Sequence, residues 1–140
     1  MSRVNAFVIA LIVALCVGSA GAAEEKIPVY VDAQTPDRLG TTYVYQLREQ
    51  LRGSQTYAVV LKRGDARFVI SLVSLDPGTN EGVTIVSVVL LAHILIPQGP
   101  IDCFVNQWIV STSRDQIDGG VRDLVASIDQ DVQQLLAPTK

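Results

Sequence analysis

Two side chains combine rarity with reactivity: the single histidine, His93, and Cys103, one of two cysteines. An imidazole beside a serine, thiol or carboxylate moves protons or activates a nucleophile. With one histidine, any Ser-His-Asp or Cys-His arrangement has to use His93. The other cysteine, Cys16, lies in an apolar run near the start of the chain. If that run is removed on export, Cys103 has no thiol partner within its own chain. It is then a reactive group, a bond between two copies, or a small core residue. Zinc would need more His or Cys ligands than the chain beyond residue 23 holds, so no metal is expected. Asp115, Asp118, Asp123, Asp129 and Asp131 sit on a helix flank and read as a solvated acidic face. The Asp76–Gly82 stretch has Asp76, Asn80 and Glu81 without the oxygen-ligand spacing of a calcium loop. There is no GxGxxG or Walker-type phosphate loop. The expectation is no catalytic constellation, no cofactor and no enzyme; a pocket joining His93 to a carboxylate would reopen that question.

These residues have to be placed by the elements around them, and the N-terminus comes first. Arg3 precedes an apolar run from Ala6 to Val17, then small residues from Gly18 to Ala23, then Glu24-Glu25. A basic start, a short apolar stretch and a small-residue end form a secretory signal peptide, here 1–23, with cleavage after Ala23 or Ala22. The run is shorter than the roughly 20 apolar residues a spanning helix needs. Lipidation of Cys16 fits poorly, because Leu15 stands where a lipoprotein site wants a small residue. The expected location is the bacterial periplasm or the exterior, with no transmembrane segment after cleavage. Residues 24–140 then form a single domain. Losing the leader removes one of 11 basic residues and none of the 14 acidic ones, deepening a net charge of −3. No basic cluster is present, so nucleic acid is not an expected partner.

Along the domain, "IPVYVD" reads as a strand. Thr35-Pro36-Asp37 opens a helix with Pro36 in its first turn. Leu39, Tyr43, Leu47 and Leu51, widened by Val44, give that helix one apolar face ending at Gly53. Arg48, Glu49 and Arg52 project to solvent. "TYAVVL" and "ARFVISLVSL" are strands around a Lys62–Asp65 turn. After the Asp76–Gly82 turn, Val83–Ile96 is a long strand, and "IDCFVNQWIVST" returns after Pro97–Pro100. Ser113 and Gln116 fit a capping box before a final helix with Ile117, Val121, Leu124, Ile128, Val132 and Leu135 on one face. Gly119-Gly120 inside it implies close packing on a neighbour, or a kink. The order β-α-β-β-β-β-α predicts an α+β two-layer sandwich: a mixed, mostly antiparallel sheet of five strands with both helices on one face.

A four-residue turn at Pro97–Pro100 pairs Ile96 with Ile101. One face then carries Ile94, Ala92, Leu90, Val88, Cys103, Val105 and Ile109, a seat for the helices. The other carries Leu95, His93, Leu91, Val89, Phe104, Asn106 and Trp108. That second face stays largely apolar where an open antiparallel face usually turns polar. Either a loop, the N-terminal segment or a swapped element covers it, or it binds something. Leu91, His93, Phe104 and Trp108 are the candidate binding face.

The strand order, the export signal and the "VYQLREQL" helix resemble small bacterial envelope domains such as the N-terminal domain of TolB and the lipopolysaccharide-assembly lipoprotein LptE. The resemblance is one of topology over most of the domain. It implies a binding or assembly module and carries over no individual residue. The expected function is therefore a non-enzymatic envelope protein that binds a protein partner or a second copy of itself. The alternative is a carrier of a lipid or other apolar ligand on the same face.

Overall fold

A computed structural model describes residues 25–78 and 82–138; the expected leader with Cys16 lies outside the described residues. Each strand and helix foreseen from the periodicity is present: β1 (Ile27–Gln34), α1 (Arg38–Gly53), β2 (Tyr57–Val59), β3 (Phe68–Leu75), β4 (Val83–Ile96), β5 (Gly99–Ser113) and α2 (Ile117–Leu136). Short 3-10 turns precede β3 at Arg63–Asp65 and α2 at Arg114–Gln116. The strands form one sheet in the order β2-β1-β3-β4-β5. β1 runs parallel to both β2 and β3, while β3, β4 and β5 are antiparallel. The fold is α+β, as the alternation of periods 2 and 3.6 required.

Tyr43, Val44, Leu47 and Leu51 of α1 and Ile117, Val121, Leu124, Ile128 and Val132 of α2 share one core with Val29, Val31, Phe68, Ile70, Leu72, Val86, Val88 and Leu90 of the sheet. Burying side chains of this size contributes about 1.5–3 kcal/mol each. This is the driving force that lays both helices on the same face.

The start of α1 is locked more tightly than its sequence suggested. Pro36 stands outside the helix, and Asp37 is the N-cap, accepting from the Gly40 amide at 2.6 Å. Its other carboxylate oxygen accepts from the hydroxyl of Ser74, a fully buried residue of β3. Burial pushes the Asp37 carboxyl up, but the Ser74 hydroxyl and the Gly40 amide outweigh it and hold the group below its ordinary value. Gly40 is the residue that permits this approach, since a Cβ there would overlap Ser74 Oγ and Cβ.

Several details of the second helix differ from expectation. Ser113 forms no side-chain cap bond, because it is still extended and paired with Val83 as the last residue of β5. The helix starts behind Gln116, which also makes no side-chain cap. A Cβ on Gly119 would meet nothing within 4 Å, and one on Gly120 would touch Tyr43 and Val110 at 3.8 and 3.9 Å, ordinary contact distances. Close packing therefore does not require either glycine. The acidic flank is only partly solvated: Asp129 accepts from the Tyr57 hydroxyl at 3.1 Å and Asp131 from the Asn106 amide at 2.8 Å. Two carboxylates thus tie α2 to the outer strands. Arg48 likewise turns inward to donate to the Val31 carbonyl at 3.1 Å.

Candidate functional site

The β4–β5 hairpin decides which residues share a surface. Its turn is two residues, Pro97 and Gln98, with Ile96 paired to Gly99, whose φ of 124° favours glycine. Relative to the expected four-residue turn, the pairing moves by two residues and keeps the same faces: Ile94 opposes Ile101, His93 opposes Asp102, Ala92 opposes Cys103 and Leu91 opposes Phe104. Between Leu90 and Leu91 the register shifts, Leu90 pairing with Asn106 and leaving Val105 as an extra residue. Such a bulge reverses the facing of everything beyond it.

The candidate face is corrected accordingly. Trp108 pairs with Val88 on the helix side and packs against the core, not beside Phe104. Asn106 also moves to that side, where it reaches Asp131. Ile109, expected under the helices, pairs with Ser87 on the open side and is 73% exposed. Leu91 and Phe104 remain opposed on the open face, Phe104 being 66% exposed. His93 shares their side of the sheet but is buried.

His93 ends a chain of charges that the sequence did not reveal. His93 Nδ1 lies 2.6 Å from Asp102 Oδ1, its cross-strand neighbour. The other oxygen of Asp102 accepts from Arg63 at 2.5 Å, and Arg63 also donates to Asp32 Oδ2 at 3.1 Å. Arg63 comes from the 3-10 turn before β3. Its guanidinium therefore links β1 to β5, with β3 and β4 lying between those strands in the sheet. The His93 ring and the Arg63 guanidinium beside it hold the Asp102 carboxyl below its ordinary value. The anchoring backbone is equally specific, the His93 amide donating to the Arg67 carbonyl at 2.9 Å.

Neither a protein-family model nor a curated protein matches this chain. Among solved structures, the hypothetical protein CT253 from Chlamydia trachomatis is similar at a TM-score of 0.48 and 14% identity, over 77% of this chain and 98% of that one.

The chemistry open to the pair follows from its protons. An ionised Asp102 has no hydrogen to give, so the short contact takes its hydrogen from Nδ1. In the neutral ring Nε2 is then the free, accepting nitrogen. Nε2 is buried and has no hydrogen-bond partner among the described residues. A hydroxyl or thiol bonded there would make a nucleophile–base pair. None occupies that position, and Cys103, though next to Asp102 in sequence, lies on the other side of the strand. Among the described residues no group of three or more His, Cys, Asp and Glu is placed to hold a metal.

Cys103 itself is corrected. It faces the helix side, opposite Ala92, yet it is exposed. Ile94 and Ile101, paired nearer the turn, are 44% exposed each, so the end of the hairpin extends past the cover of the helices. Rapid alkylation of Cys103 in the native protein is expected, read by peptide mapping. Labelling only at the rate of global unfolding would put the thiol back in the core.

The rest of the open side sets exposed apolar side chains among Ser71, Ser87, Gln107 and Ser111. Val73, Leu75, Phe104 and Ile109 are all exposed. β5, at the margin of the sheet, is its longest strand, and no residue from Cys103 to Ser113 is charged. Natural margins of this kind are usually interrupted by charge, proline or a bulge. Here Pro100 and the bulge at Val105 interrupt the turn-proximal part and leave Gln107–Ser113 as an unbroken run.

Proposed function

We propose that this chain is an exported, non-enzymatic protein that works by self-association, two copies joining along β5 and making their open faces continuous. The observation that carries the reading is the uncharged Gln107–Ser113 margin beside exposed Ile109 and Phe104. A sheet margin offers unpaired backbone donors and acceptors, and another strand satisfies them. Under a two-fold axis a strand is its own antiparallel complement, so the same patch serves both partners. The net negative charge of the chain does not oppose this contact, because the margin from Cys103 to Ser113 is uncharged. The His93–Asp102 pair supports a structural role here, since its free nitrogen is enclosed and, among the described residues, has no hydrogen-bond partner. The leader-like N-terminus supports a periplasmic or extracellular location.

Sedimentation equilibrium of the purified protein at micromolar concentrations is expected to give a dimer that dissociates on dilution. A monomer at every concentration would overturn the reading. A native mass spectrum of one chain carrying a co-purified lipid would replace it with the carrier alternative.

A further inference from the structure

We propose that the tip of the β4–β5 hairpin enters a lipid bilayer to the depth of its headgroup–acyl boundary, so that this end of the sheet docks on a membrane surface. The sequence from Ile94 to Ile101 holds no charged residue. Ile94, Ile96 and Ile101 stand on the helix side of the hairpin and Leu95 and Phe104 on the open side. All five are exposed, Leu95 at 71%. A flat protein partner covers one side of a projecting hairpin; a fluid apolar phase covers both. The tip lies at the opposite end of β5 from the Gln107–Ser113 margin, so the contact does not depend on self-association.

The strand directions bring more apolar chain to the same end. The Arg67 amide donates to the Pro28 carbonyl at 2.8 Å and the His93 amide to the Arg67 carbonyl at 2.9 Å, which sets Pro28, Arg67 and His93 in one row across the sheet. β1 runs parallel to β3 and β4 antiparallel to it, so the chain ahead of Pro28 and the chain beyond His93 leave that row in the same direction. Val17, the last residue of the apolar run from Ala6, stands ten residues ahead of Ile27. A membrane that holds this run during export therefore lies within reach of the tip. Leu135, exposed near the end of α2, lines the same recess as Ile94 and Leu95. The charged residues lining the recesses at this end, Glu25, Lys26, Asp65 and Arg67, sum to zero, so the attraction is apolar and not electrostatic.

The backbone sets the depth. Pairing of β4 with β3 ends at Ala92 and Phe68, and the three residues from Ile94 to Ile96, at about 3.3 Å each, carry the tip roughly 10 Å further. Amides and carbonyls on the two margins of the hairpin need water or headgroup oxygens, which hydrocarbon does not supply. The tip thus stops at the boundary, where surface-bound helices also bury about 5–10 Å.

A chain of residues 24–140 tests this, because the leader would bind vesicles by itself. The core of the described residues begins at Ile27, so that chain keeps it. It is expected to float saturably with phosphatidylcholine vesicles in a density gradient. Vesicles containing phosphatidylglycerol are expected to carry less of it, since the chain's net negative charge opposes an anionic surface. Leu95→Glu is expected to weaken flotation at least about tenfold, the loss of one buried leucine, with the urea midpoint unchanged. A nitrobenzoxadiazole label on Gln98→Cys, in a Cys103→Ser background, is expected to shift its emission to the blue when vesicles are added. No flotation with phosphatidylcholine, flotation with the anionic vesicles alone, equal flotation of Leu95→Glu, or an unmoved label each overturns the proposal. A label already blue-shifted without vesicles, and reversed on dilution, assigns the tip to a second copy and overturns it as well. A monomer in the ultracentrifuge bears on the self-association reading alone.

Discussion

Gly40→Ala is expected to destabilise the protein by about 3 kcal/mol, although alanine is the better helix former. Helix propensity alone favours the change by as much as about 1 kcal/mol. Against it stands the new Cβ, which would overlap Ser74 Oγ and Cβ and come within 2.7 Å of Asp37 Oδ1. Overpacking a rigid site usually costs about 1–3 kcal/mol. Ser74 cannot swing away, because it is fully buried near the end of β3, paired with Val86, with its hydroxyl bonded to Asp37. Displacing Asp37 would also weaken the helix cap, a further cost of about 1 kcal/mol. Urea unfolding of Gly40→Ala should show the midpoint fall with an unchanged slope. Adding Ser74→Gly should recover part of the loss, since the two positions share one contact. A Gly40→Ala protein as stable as the parent would mean that α1 does not approach β3 this closely.

The second large effect separates two adjacent residues. Trp108→Ala is expected to cost about 2 kcal/mol: burying a tryptophan completely is worth about 3–5 kcal/mol against alanine, and this one is half-buried against the core. Ile109→Ser should leave the folded monomer within about 0.5 kcal/mol of the parent, as an exposed position does. It should instead weaken self-association, by removing an apolar side chain from the open face. Trp108 is the single tryptophan, so its emission follows unfolding directly. The reverse pattern, a costly Ile109→Ser and a silent Trp108→Ala, would mean an unbulged β5 with the two side chains on exchanged faces.

That contrast also shows where the sequence was legible. Leu39, Tyr43, Leu47 and Leu51 recur at a helical period because one face of α1 must meet the core, and the burial of Tyr43, Leu47 and Leu51 follows it. The long apolar run Val83–Ile96 was readable as a strand from its β-branched residues. The hairpin turn was readable in part: Pro97 in the second position and Gly99 in the fourth match a type I turn on Ile96–Gly99. Taking both prolines as turn residues lengthened it by two. The extra residue at Val105 leaves no comparable mark, since the residues around it fit either face until the core is assembled. The capping box at Ser113 failed for a different reason, because strand pairing claimed the residue first. The charge chain was the least legible. Arg63 is 31 residues from Asp32 and 39 from Asp102, and only the sheet order brings them together. Leu91, His93 and Phe104 were grouped correctly by side of the sheet, but the partner that defines His93 was hidden by the two-residue error in register.

The position of β1 has a consequence for folding kinetics. β4 and β5 are joined by two residues, so their pairing closes almost no loop and can form within microseconds. β1 meets β3 across about 40 residues, with Val29 beside Phe68, and that closure is entropically slower. A denatured chain diluted into buffer should therefore nucleate at its C-terminal hairpin and admit β1 late. A chain emerging N-terminus first meets the opposite order, with β1, α1 and β2 available before β3 exists. The same native sheet is then reached from opposite ends, and an intermediate with β3 still lacking its parallel neighbour belongs to the first route alone.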